Sequence, residues 1–114
     1  MGLQVFSVTP RVWCVRRTSY LTCSYLVAGR DGVVLIDSGH NPIESRKLMD
    51  VVKKLTPMPV RLLIDTEPHP DHTTGHFVFS PPASIVAAAG AGDSMRARER
   101  EAPQRIQQMA ASAP

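Results

Sequence analysis

The sequence predicts an α/β (α+β) fold, and three observations carry that expectation. Four short runs rich in Val, Leu, Ile and aromatic residues, separated by Pro or Gly turns, fill the first 37 residues. An amphipathic segment with both start and stop signals of a helix follows. After it comes a nearly unbroken apolar run, Val60 to Ile64, which ends in a cluster of polar residues.

Residues 3–8 and 11–16 read as an opening pair of strands, with Thr9-Pro10 between them. Residues 24–28 and 33–37 read as a hairpin around Gly29-Arg30-Asp31-Gly32, whose Asp-Gly step favours a tight turn. At Asn41-Pro42-Ile43-Glu44 a helix should begin: Asn41 caps it, Pro42 suits its first position and Glu44 can reach back to the cap amide. Leu48, Val51, Val52 and Leu55 form its apolar stripe, with Arg46, Lys47, Asp50, Lys53 and Lys54 outside, and Pro57 and Pro59 require a stop by Thr56. Residues 60–64 are apolar except for Arg61, the composition of a covered inner strand. Residues 73–79 read as a short helix, 84–88 as a further strand and 93–101 as a charged helix broken by Pro103. Residues 109–114 form a frayed Ala/Ser/Pro tail.

A chain of 114 residues makes one domain at most, and at this size it can bury about two thirds of its unfolded surface. Its 43% apolar content is that of a globular protein. The formal charge of +3 is weak and uneven: Arg96, Arg98, Arg100 and Arg105 stand against Asp93, Glu99 and Glu101, without the interleaved aromatics of a nucleic-acid face, so no nucleic-acid partner is expected. No apolar run approaches the roughly 18 residues that span a bilayer, and residues 1–8 lack the pattern of a signal peptide. A cytoplasmic setting without membrane association is therefore expected. Cys14 and Cys23 read as reduced, packed thiols, and their spacing matches no C-x-x-C metal pattern.

The chemistry concentrates in His69-Pro70-Asp71-His72. Two imidazoles and a carboxylate in one turn after a buried strand suit Zn²⁺ or a similar divalent ion held for hydrolysis. Glu67 adds a fourth candidate, either a ligand or a solvated loop carboxylate; as a ligand it would move the preference toward Mn²⁺ or Fe²⁺. The competing reading is a surface turn in which Asp71 caps the following helix. His76 reads as structural, near Phe77 and Phe79. The small-residue stretch from Ala87 to Gly92 lacks the G-x-x-x-x-G-K-[ST] pattern and reads as a strand end.

Taken together, Val33-Val34-Leu35-Ile36-Asp37-Ser38-Gly39, the capped helix, Leu62-Leu63-Ile64-Asp65 and the turn from Thr66 to Gly75 resemble the metallo-β-lactamase fold superfamily. The signature T-H-x-H-x-D-H-x-G-G is met at Thr66, His69, Asp71, His72 and Gly75. Glu67 replaces the first His, and Thr74 replaces a Gly. The resemblance implies the N-terminal half of an αββα sandwich over residues 1–92, with 93–114 as an appended helix and tail. It also implies a hydrolase in which one or two zinc ions, or Mn or Fe, activate water against an ester, thioester, lactam or phosphoester bond of a small-molecule substrate. Glu67, His69, Asp71 and His72 would be its ligands, His69 at a first site and Asp71 with His72 at a second, with Asp71 also catalytic. Asp37 would orient the ligands by hydrogen bonding, and His40 would contact substrate. Family members take further ligands from downstream, yet no His follows His76 and Asp93 is the only later Asp. The alternative is thus a non-catalytic partial domain with weak or no metal binding. Completion would come from a homodimer or a complementing C-terminal half.

Overall fold

A computed structural model describes residues 2–18, 22–39, 41–80 and 82–97, with Asp71 described by its backbone alone. His40, the expected helix beyond residue 97, its break at Pro103 and the Ala/Ser/Pro tail lie outside the described residues.

Six strands form one sheet in the order β1-β2-β3-β4-β5-β6. β1 (Leu3–Thr9) and β2 (Val12–Arg17) are antiparallel, with Phe6 opposite Cys14. β3 (Cys23–Ala28) continues the meander and turns into β4 (Val33–Ile36), where the Gly29 N–H donates to the Gly32 carbonyl at 2.9 Å. The connection to β5 (Val60–Ile64) runs through α1 (Pro42–Leu55) and returns parallel to β4, setting Leu35 beside Leu63. β6 (Ser84–Val86) is parallel to β5.

Helix α1 begins and ends where the local chemistry requires. The Asn41 side chain accepts from the Glu44 N–H at 2.9 Å, Pro42 occupies the first turn, and Thr56 returns to extended backbone before Pro57. Between β5 and β6 the chain makes two single-turn helices, α2 (Pro70–Thr73) and α3 (His76–Phe79), interrupted at Thr74-Gly75, where one helix over 73–79 was expected. β6 stops at Val86, two residues short of expectation, and the following helix occupies 91–97 among the described residues. Among these residues no helix is long and apolar enough to cross a membrane.

One face of the sheet carries the core. Val15, Leu26, Leu35 and Leu63 alternate inward along neighbouring strands and meet Leu48 and Val52 of α1 and Phe79 of α3. On the other face Val34, Ile36, Leu62 and Ile64 are only partly buried, while Phe6 and Tyr25 remain 48% and 41% exposed. The apolar run in β5 therefore has one covered side among the described residues, where a strand covered on both sides was expected. Cys14 and Cys23 lie near this outer face as free thiols.

Two buried charges join the layers. Arg17 at the end of β2 and Glu44 in the first turn of α1 are both fully buried, with Nε and Oε2 3.4 Å apart, and Arg17 Nη2 donates to Ser24 Oγ at 2.8 Å. The Glu44 carboxylate, read from sequence as part of a capping box, thus faces an arginine across the core.

Candidate metal centre

Because β4 and β5 are parallel neighbours, the loops leaving their carboxyl ends emerge side by side. Such edges are the usual ligand sites of open α/β sheets. The Asp37 N–H donates to the Ile64 carbonyl at 2.8 Å, which carries the ladder one residue beyond β4 and brings the two loops together. Asp37 itself leaves the strand with φ +62, the only left-handed non-glycine among the described residues. That conformation costs about 1–2 kcal/mol and marks a residue held by its surroundings.

The hold on Asp37 is visible atom by atom. Its Oδ1 accepts from the Thr66 N–H at 2.8 Å, and its Oδ2 accepts from Thr66 Oγ1 at 2.7 Å. Oδ2 also lies 2.7 Å from Nδ1 of His72. With the carboxylate 5% exposed as a residue, these contacts offset its burial. They also assign the His72 ring: Nδ1 faces Asp37, and Nε2 faces outward to Glu67 Oε1 at 2.8 Å. The second Glu67 oxygen lies 3.3 Å from His69 Nδ1. Glu67 and His69 are well exposed, whereas the His72 side chain keeps 18% of its surface open.

The motif turn is shaped by its backbone contacts. His69 is extended at the head of α2, Pro70 fits the first helical position, and the His72 N–H donates to the His69 carbonyl at 3.0 Å. From the neighbouring loop the Ser38 N–H donates to the His72 carbonyl at 2.9 Å, and the Thr74 N–H lies 3.1 Å from the Gly39 carbonyl. The Ser38 carbonyl accepts in turn from Ser45 Oγ of α1 at 2.7 Å. Gly75 makes this approach feasible, since a Cβ there would sit 2.1 Å from the Ser38 oxygen. Beneath the loop lies Arg17, whose Nη2 would be 3.0 Å from a Cβ on Gly39.

The structure thus brings Asp37, Glu67, His69 and His72 into one linked cluster. The Asp71 side chain and all of His40 lie outside the described residues. His76, read as structural, points its Nε2 at both oxygens of Asp65, at 2.8 and 2.7 Å, and the Asp65 side chain is fully buried. Sequence reasoning quoted Thr66, Asp65 and Ser38 within the motif segments without giving them contacts, and passed over Ser45. Part of the signal was present: each of the parallel strands ends in Ile-Asp, Ile36-Asp37 and Ile64-Asp65.

Two imidazoles and a carboxylate make a nitrogen and oxygen donor set of the kind that takes zinc or a similar divalent ion. An imidazole whose inner nitrogen is held by a carboxylate, as His72 is by Asp37, has the orientation that such ligands require. Among the described residues, no three His, Cys, Asp or Glu side chains are spaced as a ready cage, and Glu67 lies against both imidazoles. By chemical type the donors present fit part of a metal site.

Comparison with known proteins gives a consistent family. Residues 20–109 match the profile of the metallo-beta-lactamase superfamily. A metallo-beta-lactamase from Pontibacter korlensis superposes with a TM-score of 0.67 at 24% identity, over 82% of this chain and 49% of that one. A metallo-beta-lactamase from Hirschia baltica superposes with a TM-score of 0.74 at 17% identity, over 87% of this chain and 49% of that one. A linear primary-alkylsulfatase from Pseudomonas sp. (strain ATCC 19151) is 28% identical over 54 residues, 47% of this chain and 10% of that protein. The chain thus spans about half the length of these solved structures and a tenth of the curated relative.

Proposed function

Because the chain belongs to the metallo-beta-lactamase superfamily, we propose that it supplies the N-terminal, metal-gripping half of a metal-dependent hydrolase acting on a small-molecule ester, thioester or lactam. The observation that carries this reading is the placement of the His72 ring, with Nδ1 fixed by Asp37 and Nε2 turned outward to Glu67. His69 and His72 would bind through imidazole nitrogens, and Glu67 and Asp71 through carboxylates. When bound, a divalent ion, zinc first and Mn or Fe in its place, supplies the Lewis acidity that polarises the scissile bond and acidifies water. Asp37 holds the His72 Nδ1, so that Nε2 is the nitrogen turned toward Glu67 and toward an ion in the same place. Asp71, at the start of α2 one residue before His72, takes the role of proton acceptor toward the attacking water. His40, three residues beyond Asp37, contributes substrate contact. The similarity to an alkylsulfatase adds sulfate esters to the substrates to be assayed.

In this reading the donors of this chain suffice to hold an ion, whereas turnover needs the second half. The outer sheet face, with Phe6 and Tyr25 exposed beside half-buried Val34, Ile36, Leu62 and Ile64, is the surface on which a second layer would pack. Solved relatives about twice as long favour a complementing C-terminal half over a second copy of this chain. Free Cys14 and Cys23 accord with a cytoplasmic setting. The bridge from Glu67 to both imidazoles favours one competing reading, a non-catalytic partial domain in which the carboxylate fills the ion's place.

Zinc per chain, measured by elemental analysis after dialysis beside a His69→Ala/His72→Ala control, separates the two. Stoichiometric zinc in the wild type and none in the control supports the hydrolase half. A folded wild type without zinc overturns it in favour of the non-catalytic reading.

A further inference from the structure

A cavity of about 330 Å³ opens at the end of the sheet opposite the metal edge. Its floor is made by Val52 of α1, Val60 at the start of β5 and Phe79 of α3, all buried, and its walls by Met49 and Met58. β5 begins at this cavity and ends at the metal edge, so roughly 13 Å of strand separates the two places. The cavity is therefore not the hydrolytic site.

Its shape is set in advance. Pro57 and Pro59 fix the backbone of the connecting loop, the Met58 N–H donates to Thr56 Oγ1 at 3.2 Å, and the Pro59 carbonyl accepts from the Val33 N–H at 2.8 Å. A loop so anchored does not collapse to fill the space, so little ordering cost attends binding. Methionine walls adapt to a flexible apolar guest. The volume lies at the lower end for small-molecule pockets and suits a single chain.

Among the described residues lining the cavity, the one charged side chain is Lys53, exposed at its mouth. Lys53 and Lys54 occupy the last turn of α1, and their two full charges outweigh the roughly half negative charge of the helix terminus. An inorganic anion would leave the apolar floor unused, and a hydrocarbon would leave the ammonium unused. We propose that this cavity binds a single-chain amphiphile with a monoanionic head, the alkyl chain on Val52, Val60 and Phe79 and the head on Lys53.

Sodium decanoate below its micelle concentration tests the assignment on the 114-residue chain with ¹³C-methyl methionine. Met49 and Met58 signals should move saturably at one ligand per chain while Met95 stays unmoved. Lys53→Glu should weaken decanoate roughly tenfold and leave neutral decanol unchanged. Met58→Trp, which fills the cavity, should abolish binding of both in a chain whose circular dichroism is unaltered. Unmoved Met49 and Met58 signals, equal affinity for decanoate and decanol in the wild type, or undiminished binding in Met58→Trp would overturn it.

Discussion

Nδ1 of His72 lies 2.7 Å from Oδ2 of Asp37 across 35 residues of sequence. Parallel pairing of β4 with β5 makes the contact, because it places the residue after one strand against the turn after the next. Asp37 is the hinge of the arrangement: its left-handed φ aims the carboxylate at Thr66 and His72 together.

Replacing Asp37 with Gly should separate these two roles. Glycine accepts φ +62 without strain, so the chain should remain folded by circular dichroism. Zinc affinity, read by competition with a chromophoric chelator, should fall about 10- to 100-fold as the imidazole loses its orienting partner. Unchanged affinity would mean that His72 finds its position without Asp37.

Gly75→Ala should cost about 3 kcal/mol in urea unfolding, since the new methyl would meet the Ser38 carbonyl at 2.1 Å and backbone cannot step aside. Gly90→Ala is the control: its φ is +86 and no atom lies within 4 Å of a Cβ there. The control should cost only about 1 kcal/mol, from backbone strain. Equal losses would show that the approach of Gly75 to Ser38 is looser than described.

The Arg17 and Glu44 pair should behave as buried pairs do. Arg17→Met alone leaves a carboxylate in the core and should destabilise by about 3–5 kcal/mol. Arg17→Met/Glu44→Leu removes both charges and should recover a large part of that loss. A double variant as unstable as the single would mean that shape, not charge, dominates at this position.

Alkaline pH should loosen the sheet. Burial and a hydrogen bond to Cys14 raise the Cys23 thiol above its ordinary 9.0. A hydrogen bond to the same Cys14 raises the Tyr25 hydroxyl above its ordinary 10.0. Between the ordinary and raised values the folded chain holds protons that the unfolded chain has lost, so this stability is complete below the ordinary values and disappears as pH climbs through the raised ones. The urea midpoint should begin to drop above roughly pH 9, and Cys23→Ser should make the onset shallower. A midpoint equally steep in Cys23→Ser would assign the loss to other groups.

What could be read from sequence follows the range of the interaction. The bounds of α1 are written in Asn41, Pro42 and Pro57, and those of β5 in the apolar run and the turns beside it, because these signals act within a few residues. The Asp37–Ser38–Gly39 loop and the His69 to His72 turn could be singled out by motif. Their contact through Asp37 and His72 came only from the resemblance, since it depends on how two strands far apart in sequence align, Val33 with Val60 and Ile36 with Ile64. Glu44 read as a cap and Arg17 carried no assignment for the same reason: a polar side chain with a distant partner has no local pattern. The break of 73–79 at Thr74-Gly75 was missed because Gly75 serves Ser38, a residue far back in the chain.

The parallel pairing of β4 with β5 also sets a clock. Val33 cannot meet Val60 until the chain between them has closed into a loop around α1, and such closures are slow compared with the hairpins of β1 to β4. The meander can zip from its turns, while every contact of Asp37 with Thr66 and His72 must wait for that closure. During synthesis or refolding, the contact of His72 with Asp37 should therefore be among the last to arrive, and the rate at which it appears should equal the rate of the slowest backbone event.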